Sequence, residues 1–330
     1  MKLIHRYILI IILCTSANIF ISCKQDSPVQ SGGTLDNYYW TLVDTTIYPN
    51  DMYVADANNL FVTGENTFRI TNGVKTEFPD PNFRGTSVAG YDKNYVVFTG
   101  NSSGLNSKFK IYNSGTITDF TPTNLYFDYG NILIIEPGKF LYKLGPFSFA
   151  LYQNGSTTEY ILPYTSVLKS FSKIGNSIYI FSKVNSDSLS VHKFENNQPL
   201  FLKNVYSPGS LINFTSEPVL LSIGFEQDSI FTGKLSYYNE TEWIPFLSIR
   251  DGIFYNAFGE SHNFGIVLID RGINGMSIES WKNGIVFKES SPLVNNIPPI
   301  PRISNLKDNT VYIYYYLDKH YLIKGQRILY

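Results

Sequence analysis

Short apolar runs separated by polar turns recur along the chain in one fixed order. In the first copy, an apolar run at 59–64 is followed by a second run at 68–70, the turn Asn72-Gly73 and a third run at 74–78. The next copy repeats this order around its own turn. Short runs rich in aromatic and β-branched side chains, bounded by turn residues, predict β-strands. Each copy is therefore predicted to be a series of antiparallel strands joined by hairpins.

A turn of the Asn-Gly type marks the same point in the copies. Asn and Gly adopt the positive φ of a two-residue hairpin at the least cost, so such turns between apolar runs predict β-hairpins. Following the turn along the chain gives Asn72, Asn113, Asn154, Asn196, Asn239, Asn283 and Lys324-Gly325. Successive turns lie 41 to 44 residues apart, and a large apolar residue stands two positions before most of them.

A further apolar run precedes each copy, for example 167–174 ahead of 177–181. We assign the run that opens the unit to 59–64, 94–100, 132–135, 177–181, 219–223, 265–269 and 311–316. Four antiparallel strands in about 40 to 45 residues are typical of a β-propeller blade. A single blade cannot cover both of its faces, whereas blades stacked around an axis cover each other. The sequence thus predicts an all-β fold, a β-propeller of seven four-stranded blades over residues 37–330.

Such a ring needs a closure, and the segment 36–43 is the candidate for it. This segment has the pattern of a detached turn followed by an outer strand. We expect it to pair with the last blade beside residues 327–330. Two arrangements stay open at this point, because the segment could replace the final strand of that blade or flank it.

Residues 1–22 have the pattern of an export signal. Basic residues precede an apolar stretch at 7–20, which is typical of a secretory signal and is too short, with the wrong flanks, for a membrane span. The step Ser22-Cys23, with Phe20 in place of the usual leucine, resembles the lipobox of bacterial lipoproteins. The resemblance implies cleavage before Cys23, acylation of that cysteine and a flexible lipidated tether over 23–36.

The residues after the cysteine indicate where in the cell envelope the predicted lipoprotein is sent. Lys24, Gln25 and Asp26 look like the signal that sends lipoproteins of the Bacteroidota to the cell surface. No aspartate stands two positions after Cys23 to resemble an inner-membrane retention signal. The resemblance implies attachment to the outer membrane or the cell surface.

Tether and repeats together resemble bacterial β-propeller lipoproteins over nearly the whole mature chain. The repeated unit lacks the Trp-Asp signature of WD repeats, the paired glycines of kelch repeats and the aspartate box of sialidases. The resemblance therefore implies an architecture and no particular ligand.

Composition narrows the classes of partner. The formal net charge is -1 and 16% of the residues are charged, which gives no reason to expect a nucleic-acid partner. Cys14, the cysteine other than Cys23, lies in the predicted signal, so no disulfide is expected in the mature chain. We expect a monomer that meets the membrane through the lipid on Cys23 and binds an unknown protein or glycan.

Candidate chemistry is sparse. His192, His262 and His320 follow the predicted signal at spacings that do not predict a metal site, so we expect no metal and no cofactor. Asp80 and Arg84 lie in the predicted connection between the first two blades. Propellers usually place ligand-contacting loops there, which makes these two residues candidates for ligand binding by position.

Other conspicuous residues are interpreted as structural. Glu260 and His262 read as a polar strand or loop surface, and the polar segment 185–188 reads as a hairpin loop. Trp243 and Trp281 fall in or next to hairpin strands at repeated positions, where packing is the expected role.

Two functions from different classes fit these observations. The first is a non-catalytic binding or scaffold protein, because the sequence offers a rigid tethered disc without acid, base or metal constellations. The alternative is a cell-envelope enzyme acting on a polysaccharide or cell-wall component, which needs two carboxylates facing each other across a channel. No nucleophile motif and no phosphate-binding glycine loop is present, so catalytic residues remain unassigned.

Overall fold

The computed structural model shows an all-β chain. It describes residues 38–78, 80, 82–101, 107–122, 132–163, 166–207, 209–214, 217–225, 231–250, 252–271, 276–289, 302–316 and 319–328. The predicted signal at 1–22 and the predicted tether at 23–36, with its lipidation site Cys23, lie outside this set.

The described residues form 28 strands in seven antiparallel sheets of four strands each, which confirms the predicted seven-bladed propeller. Blade 1 contains β2 (Pro49–Asp56), β3 (Asn59–Gly64), β4 (Phe68–Thr71) and β5 (Val74–Glu77). Blade 2 contains β6 (Arg84–Gly90), β7 (Tyr95–Asn101), β8 (Ser107–Asn113) and β9 (Thr116–Phe120). Blade 3 contains β10 (Ile132–Glu136), β11 (Lys139–Gly145), β12 (Ser148–Gln153) and β13 (Ser156–Ile161). Blade 4 contains β14 (Val167–Ile174), β15 (Ser177–Asn185), β16 (Ser188–Glu195) and β17 (Gln198–Tyr206). Blade 5 contains β18 (Ser210–Asn213), β19 (Pro218–Phe225), β20 (Phe231–Tyr238) and β21 (Trp243–Arg250). Blade 6 contains β22 (Ile253–Ser261), β23 (Phe264–Asp270), β24 (Met276–Lys282) and β25 (Ile285–Lys288). Blade 7 contains β26 (Arg302–Ile303), β27 (Thr310–Tyr316), β28 (His320–Arg327) and β1 (Tyr38–Asp44).

Strand β1 closes the ring. It pairs antiparallel with β28, from Tyr38 opposite Arg327 to Asp44 opposite Leu322, and takes the outermost place in blade 7. The N-terminal segment therefore replaces the final strand of the last blade. The predicted turn at Lys324-Gly325 is wrong, because both residues lie inside β28 and no covalent hairpin is needed where the fourth strand comes from the other end of the chain.

The predicted hairpins lie between the third and fourth strands of the other blades. Asn72, Asn154, Asn196 and Asn283 have φ between 46° and 52°, the left-handed region that Asn tolerates better than most residues. In blade 2 the first such residue is Ser114, one place after Asn113, with φ of 48°. In blade 5 the left-handed residue is Glu240, while the side chain of Asn239 accepts the backbone N–H groups of Thr241 and Glu242.

The assignment of 132–135 as the opening run of the third unit is wrong. These residues form β10, the innermost strand of blade 3, and the strand equivalent to the other opening runs is β11. Both segments are short and apolar, so hydrophobic pattern alone does not separate them.

The core lies between neighbouring blades. All six residues of β3 are buried, whereas all four residues of the outer strand β5 are exposed. Trp281 is fully buried and packs on Phe214, and Trp243 packs against Phe181 and Tyr238. The packing role predicted for both tryptophans is confirmed.

The disc has two faces that differ in the kind of loop they carry. We call the side with the first-to-second and third-to-fourth strand hairpins, such as 57–58 and 72–73, the turn face. The opposite side, which carries the links from one blade to the next and the second-to-third strand hairpins, is the connection face. Because β28 runs from the connection face to the turn face, Tyr38 enters blade 7 at the turn face.

Candidate functional site

Asp80 lies on the connection face in an ion-pair cluster. Its Oδ2 is 2.7 Å from Lys110 Nζ and 3.9 Å from Lys108 Nζ. Asp119, on the outer strand β9, also pairs with Lys110, at 3.0 Å. Arg84 is exposed at the start of β6 and is not part of this cluster. The structure therefore does not bring the two positional candidates together.

The cluster is balanced in charge. The hydrogen bond from Lys110 lowers the pKa of Asp80 below its usual range, although partial burial opposes this effect. Partial burial also works against the charged form of Asp119, but the hydrogen bonds from Lys108 and Lys110 outweigh it and lower the pKa of Asp119. Two lysines and two aspartates satisfy one another beside a cleft of about 570 Å³. These ion pairs hold the link between blades 1 and 2 against blade 2. Ligand binding by Asp80 and Arg84 stays a prediction.

A second group on the connection face consists of Tyr48, Tyr314, Tyr316 and His320, which we call the aromatic patch. Tyr48 lies on the link from β1 to β2, Tyr314 and Tyr316 lie on β27, and His320 begins β28. The Tyr314 hydroxyl is 2.8 Å from His320 Nδ1. Ring centroids of Tyr48 and Tyr316 lie 5.3 and 5.0 Å from that of His320.

In the aromatic patch, the hydrogen-bonded Tyr314 and His320 support two exposed tyrosines. Burial raises the pKa of Tyr314 to about 12, which makes ionisation of its hydroxyl still less favourable than in a free tyrosine. Tyr48 and Tyr316 are 48% and 54% exposed. Arg302 pairs across the sheet with Tyr314 and donates a hydrogen bond from Nη1 to the Asn50 carbonyl. A cation and several aromatic rings are thus presented together.

Sequence reasoning missed the aromatic patch. Tyr48 stands more than 260 residues before Tyr314 in the chain, and only the closure of the ring through β1 brings the two together. The aromatic run at 312–316 was a visible signal, but it reads equally well as a buried strand. That the end of this run is exposed becomes apparent only once the strands are assigned to the connection face.

One carboxylate of the innermost strands is partly buried and fully hydrogen-bonded. Asp51 on β2 accepts hydrogen bonds from Ser87 Oγ at 2.7 Å and from the Val88 N–H at 2.9 Å, both on the first strand of blade 2. It also accepts the N–H of Met52 at 2.9 Å. Burial raises the pKa of Asp51, with these donors opposing the rise. The residue fastens blade 1 to blade 2, and its two oxygens are already occupied.

The remaining histidine chemistry is also structural. His262 pairs with Glu217, with 3.0 Å between Nδ1 and Oε1, and its ring stacks on Tyr237. Within the described ranges, no group of three or more His, Cys, Asp or Glu side chains is placed to hold a metal ion. The same part of the chain contains no helix long and apolar enough to cross a membrane.

These features define a seven-bladed β-propeller with polar links between blades. No protein-family model matches the chain, and no curated protein sequence is significantly similar to it. Among solved structures, YCF48 bound to D1 peptide matches with a TM-score of 0.59 at 12% identity, covering 90% of this chain and 99% of that one. YCF48 from Cyanidioschyzon merolae matches with a TM-score of 0.59 at 10% identity, covering 87% of this chain and 98% of that one.

A third match is the β-propeller domain of Cps50 (Swd1) from Myceliophteria thermophila. Its TM-score is 0.57 at 8% identity, and the match covers 87% of this chain and 99% of that one. Identities this low establish a shared fold, and the fold alone does not assign a function.

Proposed function

We propose that this protein is an exported, lipid-anchored propeller that binds a protein partner through its connection face. The observation that carries the proposal is the aromatic patch, in which two half-exposed tyrosines stand on a fixed Tyr314–His320 pair beside Arg302. Tyrosine and arginine are enriched at the centres of protein interfaces. A tyrosine also offers a large contact area at little cost in conformational entropy.

The known propellers with this architecture are compatible with such a role. One solved structure of the same fold, YCF48, is bound to the D1 peptide. That structure supports the idea that a propeller of this size holds a segment of another protein. The residues proposed here come from this chain alone.

The path of the chain supports an orientation. Tyr38, the first residue of β1, pairs with Arg327 at the turn-face end of β28, and its N–H donates to Glu289 Oε2 at 3.1 Å. The described part of the chain therefore begins on that side of the disc. With Cys23 acylated, the connection face would point away from the outer membrane or cell surface, toward a partner.

The alternative, an envelope enzyme acting on a polysaccharide or cell-wall component, needs paired carboxylates with free oxygens. Asp51 is a partly buried carboxylate on an innermost strand, and its oxygens hold blade 2, so it offers no free oxygen for such a pair. This observation favours the binding protein.

Comparative capture tests the proposal. All described strands lie within residues 38–327, so a protein lacking residues 1–23 keeps every blade. Envelope extracts are passed over the wild-type protein, the double variant Tyr48→Ala/Tyr316→Ala and the control Tyr91→Ala. Tyr91 is 49% exposed and lies at the first hairpin of blade 2, on the turn face.

A protein retained by the wild type and by Tyr91→Ala should be lost from the double variant. Its affinity should fall about 30-fold or more, as for the loss of a 2 kcal/mol hot spot. Equal retention by the double variant would show that the aromatic patch is not the binding site.

A further inference from the structure

A cleft of about 580 Å³ opens on the turn face between blades 2 and 3. One wall comes from the hairpin between β8 and β9, with Asn113 and the outer-strand residues Thr116 and Thr118. The other wall carries Tyr152 and Asn154 at the end of blade 3. The cleft is separate from the aromatic patch, which lies on the opposite face.

The lining is polar but uncharged. Among the described residues that line the cleft, side chains end in amides, hydroxyls or apolar groups, and none is a Lys, Arg, Asp or Glu. Amides and hydroxyls both donate and accept hydrogen bonds. Such a surface matches a ligand whose own groups do both, and it offers no countercharge to an ionic ligand.

Tyr95 forms a buried part of the lining. It is 3% exposed and borders the cleft. Its hydroxyl has no exposed surface, so a ligand in the cleft does not reach it, and the Gly138 backbone lies beside it. The exposed amides and threonine hydroxyls of the lining are therefore the polar groups that a ligand can contact.

The cleft also holds a fixed aromatic ring. Tyr152 stacks on Phe140 at 4.5 Å and meets Phe120 edge-on at 4.8 Å between ring centroids. The ring is half-buried and held from two sides. A flat apolar ring among hydrogen-bonding groups suits a ligand with an apolar face and polar edges.

The polar wall is fixed by the backbone. Asn154 has φ of 46° and donates its N–H to the Gly138 carbonyl at 2.8 Å. A Cβ at position 138 would overlap Asn154 Oδ1, so glycine there leaves room for the amide at the edge of the cleft. The amide therefore needs little reordering to meet a ligand.

We propose that this cleft binds a short uncharged saccharide. Sugar hydroxyls match the amides of Asn113 and Asn154 and the threonine hydroxyls, and the C–H face of a sugar ring lies along Tyr152. The proposal does not rest on the protein-binding function, because it uses none of the residues of the aromatic patch.

Calorimetric titration of the protein lacking residues 1–23 tests this site. The uncharged probes are maltose, cellobiose and N,N′-diacetylchitobiose, and the charged probes are the disaccharides of galacturonic acid and of glucosamine. Thr118→Arg places a long charged side chain in the cleft from an exposed strand position. Thr158→Arg is the matched control, because Thr158 is exposed at the equivalent position of the outer strand of blade 3.

We expect at least one uncharged probe to bind and both charged probes to bind at least tenfold more weakly. Thr118→Arg should weaken binding at least tenfold, and Thr158→Arg should leave it unchanged. The proposal fails if no uncharged probe binds, if charged probes bind equally well, or if Thr118→Arg binds like the wild type.

Discussion

Replacing Trp40 with alanine should loosen the seam that closes the ring. Trp40 on β1 lies directly opposite Gly325 on β28, is 5% exposed and stacks on Tyr38 with 5.5 Å between ring centroids. The indole covers the glycine so closely that a Cβ at position 325 would come within 2.5 Å of Trp40 Cζ3. The two residues therefore form one unit, with the tryptophan filling the space that the missing side chain leaves.

The structure sets the size of each effect. Removing a buried tryptophan side chain costs about 3–5 kcal/mol in the free energy of unfolding. Gly325→Ala overpacks the seam and should cost about 1–3 kcal/mol. In the double variant Trp40→Ala/Gly325→Ala the added methyl no longer meets the indole. Its loss of stability should thus be close to that of Trp40→Ala alone, with a coupling energy of about 1–3 kcal/mol.

Urea unfolding followed by far-ultraviolet circular dichroism measures all four members of this cycle. Gly145→Ala is the control for adding a methyl group in a strand, since its Cβ would meet only Ser148 Oγ, at 3.3 Å. We expect the control to change stability by less than about 1 kcal/mol. Additive losses for Trp40→Ala and Gly325→Ala would refute the argument, because independent sites show no coupling.

Other predictions concern the ion-pair cluster, the turns and the anchor. Lys110→Gln should lower the urea midpoint at pH 7, because Lys110 holds the pKa of Asp80 below its usual range. That contribution is complete above the unfolded-state pKa of about 3.9 and is lost as the pH falls through the lower folded-state pKa, so wild-type and variant midpoints should converge in acid. Asn283→Ala should lower stability by about 1–2 kcal/mol, since φ is 50° there, and Asn283→Gly should retain wild-type stability in the same assay. Cys23→Ala should move the protein from the membrane fraction to the soluble fraction and remove any acyl mass, and membrane retention without lipid would contradict the anchor.

The sequence was informative wherever a local rule fixes the backbone. A two-residue hairpin demands positive φ, so Asn72, Asn154 and Asn283 announce their turns and their spacing gives the number of blades. The same rule failed at Lys324-Gly325, where the fourth strand arrives from the far end of the chain and no turn is made. When the last strand of a blade comes from the other end of the chain, no local sequence pattern shows that the usual hairpin is missing.

The candidate sites could not be predicted from local sequence either, because their residues come from distant parts of the chain. Asp80 was singled out by its position in a link, but its partner Lys110 lies on another strand at a distance no periodicity specifies. Tyr48 meets His320 only across the closed seam. The cleft on the turn face has the same origin, because Thr118 and Asn154 line it from two different blades.

The contrast between repeated and unrepeated contacts explains where such sites arise. Within a blade, similar hairpins recur, whereas three junctions among the described residues use different polar contacts. Asp51 binds the backbone and a serine of blade 2, Asn213 donates to the Phe171 carbonyl at 3.1 Å, and Asn305 exchanges two hydrogen bonds with the backbone of Val54. Because strand pairing already stabilises each blade, the junctions are free to differ in sequence. A ring of similar blades thereby acquires dissimilar clefts, and both the aromatic patch and the cleft between blades 2 and 3 lie at such junctions.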